Sequence, residues 1–254
     1  MSLQRVAVEG ATLSTLSLGQ GHPLLLLHGL ALGNMASWYA PIALTLAQQA
    51  QVLLYDLRGH GDSTRSAEGY DLATQVEDLC AVLAHYALDT IDLAGHSVGA
   101  LIALAFACRY PQRVRRLMLL DAPWPAATWV APSLHAGAAA LLHQQGGQDA
   151  GRRGQRRLQR LQGLLCETSL VAAVAAMRGE DVDDFHRLQM PVRLLYGRHS
   201  PCRQAADELC RHLPQASLHE LEAGHYLLEE AAAEVCAHMQ NYFYAEEGRD
   251  GSQP

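Results

Sequence analysis

The chain has 254 residues, 49% of them hydrophobic, and a formal net charge of −7 at pH 7. That length suits one large α/β domain with a full core, or two small domains. The acidic balance gives no reason to expect nucleic acid, and no apolar run reaches the ~18 residues of a membrane span.

The opening MSLQRVAVEG lacks the charged, apolar, small-residue order of a signal peptide, so the expectation is a soluble cytoplasmic protein with no membrane partner. Six cysteines (Cys80, Cys108, Cys166, Cys202, Cys210, Cys236) show no CxxC pair and no metal spacing, and are expected to be buried thiols in a reducing compartment. In chain order, RVAVEGATLSTLSLG reads as an antiparallel hairpin turning at Glu9-Gly10. PLLLLHG is a continuous apolar run, the form of a strand buried on both faces. MASWYAPIALTLAQQ has helical spacing, and QVLLYD is a second buried strand followed by the polar loop LRGHGDST. DLATQVEDLCAVLAHY is an amphipathic helix, with Leu72, Val76, Leu79, Val82, Leu83 and Tyr86 on one face. TIDLAG is a strand, GALIALAFACRY an apolar helix and VRRLMLLD a strand.

The pattern then changes. Residues 122–187 are rich in Ala, Gln, Arg and Leu, with helical spacing and no convincing strand. After them VRLLYG, a helix around RQAADELCRHL, the strand ASLHEL and the helix LLEEAAAEVCAHMQNYF restore the alternation. The expected organisation is a doubly wound, mainly parallel α/β core in two parts, 1–121 and 188–244, interrupted by a helical cap at 122–187 and ending in a disordered tail at 245–254.

DLAGHSVGA carries the chemistry. Gly95-His96-Ser97-Val98-Gly99 is a G-x-S-x-G pattern between a buried strand and an apolar helix, the context that gives the pattern meaning. A sharp turn there presents the Ser97 hydroxyl at the carboxyl end of the sheet, and the Val98 amide at the helix start can face a developing oxyanion. Ser97 is the expected nucleophile.

With LLLLHGLA, LLYDLRGHGDS, LAGHSVGA and LEAGHYLLEE in that order and spacing, the sequence resembles the α/β-hydrolase superfamily over essentially its whole length. Within it the chain is similar to the esterase, lactonase and peroxidase-like branch with a small helical cap. The resemblance implies an eight-stranded sheet with the cap inserted after the sixth strand, over the site. It also implies that His225, between a late strand and the last helix, is the catalytic base. The backbone amide of Leu30 is the implied second oxyanion donor, and His28, His60 and His96 are implied to be structural.

The triad acid is where the chain departs from the family. Most relatives carry an Asp in a G-x-x-D pattern after the strand that follows the cap, some after the strand that precedes it, and here the first pattern reads Gly197-Arg198-His199-Ser200. Either the acid has moved to Asp121, at the end of LMLLD, or a Ser-His dyad works with Ser200 or water orienting His225, or the protein binds without turnover. Asp207 and Glu222 are further carboxylates. Asp121 is the expected acid.

Pocket candidates are Leu30, Trp38, Trp124, Trp129 and Tyr226; the tryptophans at the cap entry could equally pin the cap to the sheet. In the cap, Arg152, Arg153, Arg156, Arg157 and Arg160 recur at three- and four-residue spacing, so several share one helix face, either solvated or facing an anionic partner such as an acidic acyl carrier protein. The function expected is a serine hydrolase cleaving a small acyl substrate, a carboxylic ester or lactone, through an acyl-enzyme on Ser97. Thioesterase or acyltransferase action on carrier- or CoA-bound acyl groups, C–C bond hydrolysis and a non-catalytic ligand binder are the alternatives. Epoxide hydrolase and dehalogenase chemistry would need an Asp where the chain has Ser97. No metal or organic cofactor is implied.

Overall fold

A computed structural model describes residues 2–30, 33–124, 152–176, 182–213 and 215–244. In chain order the elements are β1 Ser2–Val8, β2 Ala11–Leu18, β3 Pro23–Leu27, α1 Ala36–Trp38, α2 Leu44–Leu46, β4 Gln51–Tyr55, α3 Leu72–His85, β5 Ile91–His96, α4 Val98–Arg109 and β6 Val114–Leu120. After these come α5 Arg152–Cys166, α6 Leu170–Ala176, β7 Val192–Gly197, α7 Arg203–His212, β8 Ala216–Leu221, α8 Leu227–Glu230 and α9 Ala232–Tyr244. The eight strands form one sheet in the order β1-β2-β4-β3-β5-β6-β7-β8. β2 runs antiparallel to both its neighbours, and every other pairing is parallel.

The apolar runs explain why the sheet is covered on both faces. Successive strand residues point to opposite sides, so Leu25, Leu27 and Leu53 join one core cluster while Leu24, Leu26, Val52 and Leu54 join the other. On the first face lies α4, with every residue from Val98 to Cys108 buried, as expected for a helix apolar all round. α3 lies beside it, capped at its start by Asp71, whose side chain accepts from the Thr74 amide. On the second face lies α9, packed with Trp38 and Ile42.

Two expected helices are broken. The stretch after Met35 is not continuous, because Ala40 is extended (φ −132°, ψ 129°) ahead of Pro41, whose ring excludes the helical conformation from the residue before it. The C-terminal helix divides at Ala231 (φ −138°, ψ 35°), within a run of three alanines that gives no sequence signal for a break. Of residues 122–187, the described part is helical: α5, α6 and a 3₁₀ turn at Val182–Arg187. Leu164, Leu170, Val174 and Phe185 from this stretch are buried in the α4-side core. Of the cysteines expected to be buried, Cys108, Cys202 and Cys236 are so, whereas Cys80 and Cys210 are half-buried and Cys166 is exposed. The expected tail, 245–254, lies outside the described residues.

Candidate active site

Three strand ends converge on one point. β5 ends at His96 and the chain turns into α4 through Ser97, which is held at φ 56° and ψ −123°. Such a left-handed backbone at a residue with a Cβ costs about 1–3 kcal/mol and persists only where its surroundings enforce it. The enforcement is visible in the glycines. A Cβ on Gly95 would stand 2.2 Å from the Gly99 carbonyl oxygen, and one on Gly99 would stand 2.5 Å from that of His28. The elbow is therefore packed backbone against backbone. Ser97 N–H donates to Leu120 O on β6 at 2.9 Å, which ties the turn to the neighbouring strand.

His225 lies between β8 and α8. Its Nε2 is 3.0 Å from Ser97 Oγ, and its Nδ1 is 2.5 Å from Asp121 Oδ2. Asp121 follows β6, is fully buried and also has a left-handed backbone, φ 46°. Gly197 N–H, at the end of β7, donates to its other oxygen at 3.0 Å. Hydroxyl, imidazole and carboxylate therefore form one hydrogen-bonded line. A proton leaving Ser97 has an acceptor in Nε2, and the resulting imidazolium has a buried anion behind it. Burial disfavours the charged imidazole, but the hydrogen bond it donates to Asp121, the contact with Cys202 and the charge of Asp121 outweigh it and raise His225 to about 10.

The other histidines near the site hold backbone. His28 sits beneath the β3 loop with Nδ1–H donating to Gly29 O at 2.7 Å and Nε2 accepting from Leu57 N–H at 3.0 Å. His60 Nδ1–H donates to Arg58 O at 2.7 Å. His96 Nε2–H donates to the His225 carbonyl at 2.8 Å, so the residue beside Ser97 fixes the backbone of the residue facing it. Burial depresses all three, His28 and His96 to about 4 and His60 to about 3, which keeps them neutral.

The remaining site candidates fall in different places. Val98 opens α4 directly after Ser97, and Leu30 is half-buried in the loop after β3, packed against the core. Trp38 is fully buried on the α9 side of the sheet. Trp124 packs on Phe185 and His212, with ring centres 6.3 and 5.5 Å away, which is the pinning arrangement at that end of the inserted stretch. Tyr226 is exposed and stands edge-on to the His225 ring at 5.5 Å. Trp129 and the side chains of Arg152, Arg153, Arg156 and Arg157 lie outside the described residues. Arg160 donates to the Gly61 carbonyl at 3.4 Å. Among the other carboxylates, Asp207 pairs with Arg203 on the surface and Glu222 with Arg198 and His199.

Two residues at the site were not legible beforehand in the form they take. Ser200 does not reach His225 as a lone orienter; its hydroxyl donates to Asp121 Oδ2. Cys202, two residues on, brings its thiol within 4.8 Å of the facing Asp121 and His225 atoms. Its position two residues past the G-x-x-S turn was the available signal.

A profile of the alpha/beta hydrolase fold matches residues 22–148, half of the chain. A soluble epoxide hydrolase of Corynebacterium sp. (strain C12) is 34% identical over 116 residues, 45% of this chain and 39% of that protein. The chain thus spans well under half the length of that relative. The structure of a hydrolase from Pseudomonas aeruginosa PA01 superposes with a TM-score of 0.77 at 22% identity, covering 96% of this chain and 98% of that one. That of the enol-lactonase from Burkholderia xenovorans LB400 gives 0.74 at 23% identity, covering 94% and 99%. With the sheet order, the elbow and this match together, the chain belongs to the alpha/beta hydrolase fold family.

Proposed function

We propose that the protein is a serine hydrolase that cleaves a carboxylic ester or lactone through an acyl-enzyme on Ser97. One observation carries the reading: the unbroken line from Ser97 Oγ through His225 to the buried Asp121, mounted on a strained elbow. Ser97 Oγ attacks the acyl carbonyl as His225 Nε2 takes its proton. The Val98 and Leu30 amides face the oxyanion, and Asp121 stabilises the imidazolium. His225 then returns the proton to the leaving alkoxide. Water, deprotonated by the same imidazole, hydrolyses the acyl-enzyme and regenerates Ser97.

The likeness to an epoxide hydrolase does not transfer as an activity. An epoxide offers no acyl carbonyl, and the elbow carries a hydroxyl where that chemistry calls for a carboxylate. The test is labelling with a fluorophosphonate, beside a panel of p-nitrophenyl esters, lactones and acyl thioesters run with Ser97→Ala. The expected outcome is labelling at Ser97, turnover strongest on esters or lactones, and loss of both in Ser97→Ala. Folded protein that resists the probe, or a Ser97→Ala variant that turns over normally, overturns the reading.

A further inference from the structure

By the family resemblance, the position where most relatives carry the acid is filled by Ser200, and its hydroxyl accepts one hydrogen bond and donates another in a fixed sense. Ser200 is buried in the turn after β7, its amide bonded to Gly197 O at 3.1 Å. Cys202 N–H donates to Ser200 Oγ at 3.0 Å. An amide can only donate, so the hydroxyl accepts there and its single proton is committed elsewhere. The partner is Asp121 Oδ2, the same oxygen that faces His225 Nδ1. With Gly197 N–H on Oδ1, the carboxylate has three donors among the described residues, two of them on the oxygen that faces the imidazole.

We propose that Ser200 is the positioning residue of this site: by donating to Asp121 Oδ2 it fixes the carboxylate and draws off part of its charge, which sets how tightly His225 holds a proton. The proposal rests on the serine-hydrolase reading. A base must be neutral to accept the Ser97 proton, and a buried carboxylate held against an imidazole keeps it protonated. A hydrogen bond to the carboxylate weakens that hold. The pair's other neighbours are already engaged or face elsewhere. Tyr196 donates to Ala122 O, His96 donates to His225 O, and Glu230 accepts from Gly224 N–H. Tyr226 meets His225 edge-on, near Glu229, and the Cys202 thiol adjoins both members of the pair.

The test is Ser200→Ala, followed by the pH profile of p-nitrophenyl acetate hydrolysis and by NMR titration of His225 in the free protein. The expected result is an alkaline shift of about one pH unit in both. At pH 7 kcat/KM falls about tenfold, and it recovers toward the parent value above the shifted limb. Ser200→Thr, which keeps the hydroxyl, restores the parent limb. An unmoved limb, or a loss of equal size at every pH, overturns the proposal. If Ser200→Ala does not fold, Ser200→Cys, nearly isosteric and a weaker donor, is read in the same way. Ser97→Ala run alongside keeps the two readings apart: if it still turns over, the hydrolase reading has failed, and the NMR titration alone decides the role of Ser200.

Discussion

Among the described residues, donors meet both oxygens of the Asp121 side chain. It is fully buried, and its three donors, from Gly197, Ser200 and His225, tie the end of β7, the turn after it and the loop after β8 to one carboxyl group. Asp121→Asn keeps the volume but turns one oxygen into a donor. Facing His225 Nδ1, an amide N–H selects the wrong tautomer and leaves the imidazolium without its counter-charge. We expect kcat to fall about 100- to 10,000-fold, with KM changing far less. Steady-state kinetics on the best substrate of the panel checks this, and activity near the parent's removes Asp121 from the proposed triad. Ser97 was legible from five consecutive residues and their flanking strand and helix. Asp121 was legible only through the family, because an Asp ending a strand is common and the empty G-x-x-D position gave the reason to look for it. The Ser200 bond was not legible at all, since it joins residues 79 positions apart through the register of β6 and β7.

At the scale of elements, the site depends on how closely α4 approaches β3. Gly99 lies in the first turn of α4, where alanine would ordinarily favour a helix by about 1 kcal/mol. Here a Cβ would meet Leu27 O at 2.6 Å and His28 O at 2.5 Å. Both are backbone atoms of the strand and loop that lead to Leu30, and no rotamer change relieves the contact. Gly99→Ala is therefore expected to destabilise the fold by about 1–3 kcal/mol, the cost of overpacking outweighing the propensity gain. It should also lower kcat, because the Leu27–Leu30 segment must retreat from the elbow. Urea denaturation and ester kinetics on the same sample check both, and a variant more stable than the parent contradicts the prediction. The strands were readable from their apolar runs. The breaks at Ala40 and Ala231 were less so: Pro41 offered a signal that helical spacing hid, while the second break has none in the sequence.

For the whole molecule, the buried histidines make stability depend on pH in a defined direction. His28, His60 and His96 have folded values near 4, 3 and 4, against 6.5 for a free imidazole. In the unfolded chain they take up protons as pH falls below 6.5, while in the folded protein they do not. The unfolded state then binds more protons, and stability present above 6.5 is lost on acidification toward 4. With three such groups the slope approaches about 4 kcal/mol per pH unit at its steepest. His225 works in the opposite sense. Its folded value is raised to about 10, so its contribution is complete below 6.5 and is lost as pH rises from there through about 10. His225, the proposed base, thus opposes the three histidines that hold the loops around it, and the stability maximum belongs near neutral pH, between the two losses. Thermal melts from pH 4.5 to 10 should show a Tm that falls steeply on the acid side and gently on the alkaline side. Replacing His60 by Gln, which can still donate to Arg58 O, should flatten the acid limb by about one proton's worth of slope, ~1.4 kcal/mol per pH unit. The difference between parent and variant isolates this imidazole from the buried carboxyls of Asp56 and Asp78, whose raised values work against the acid loss, and equal acid limbs would mean that His60 is protonated within the folded protein.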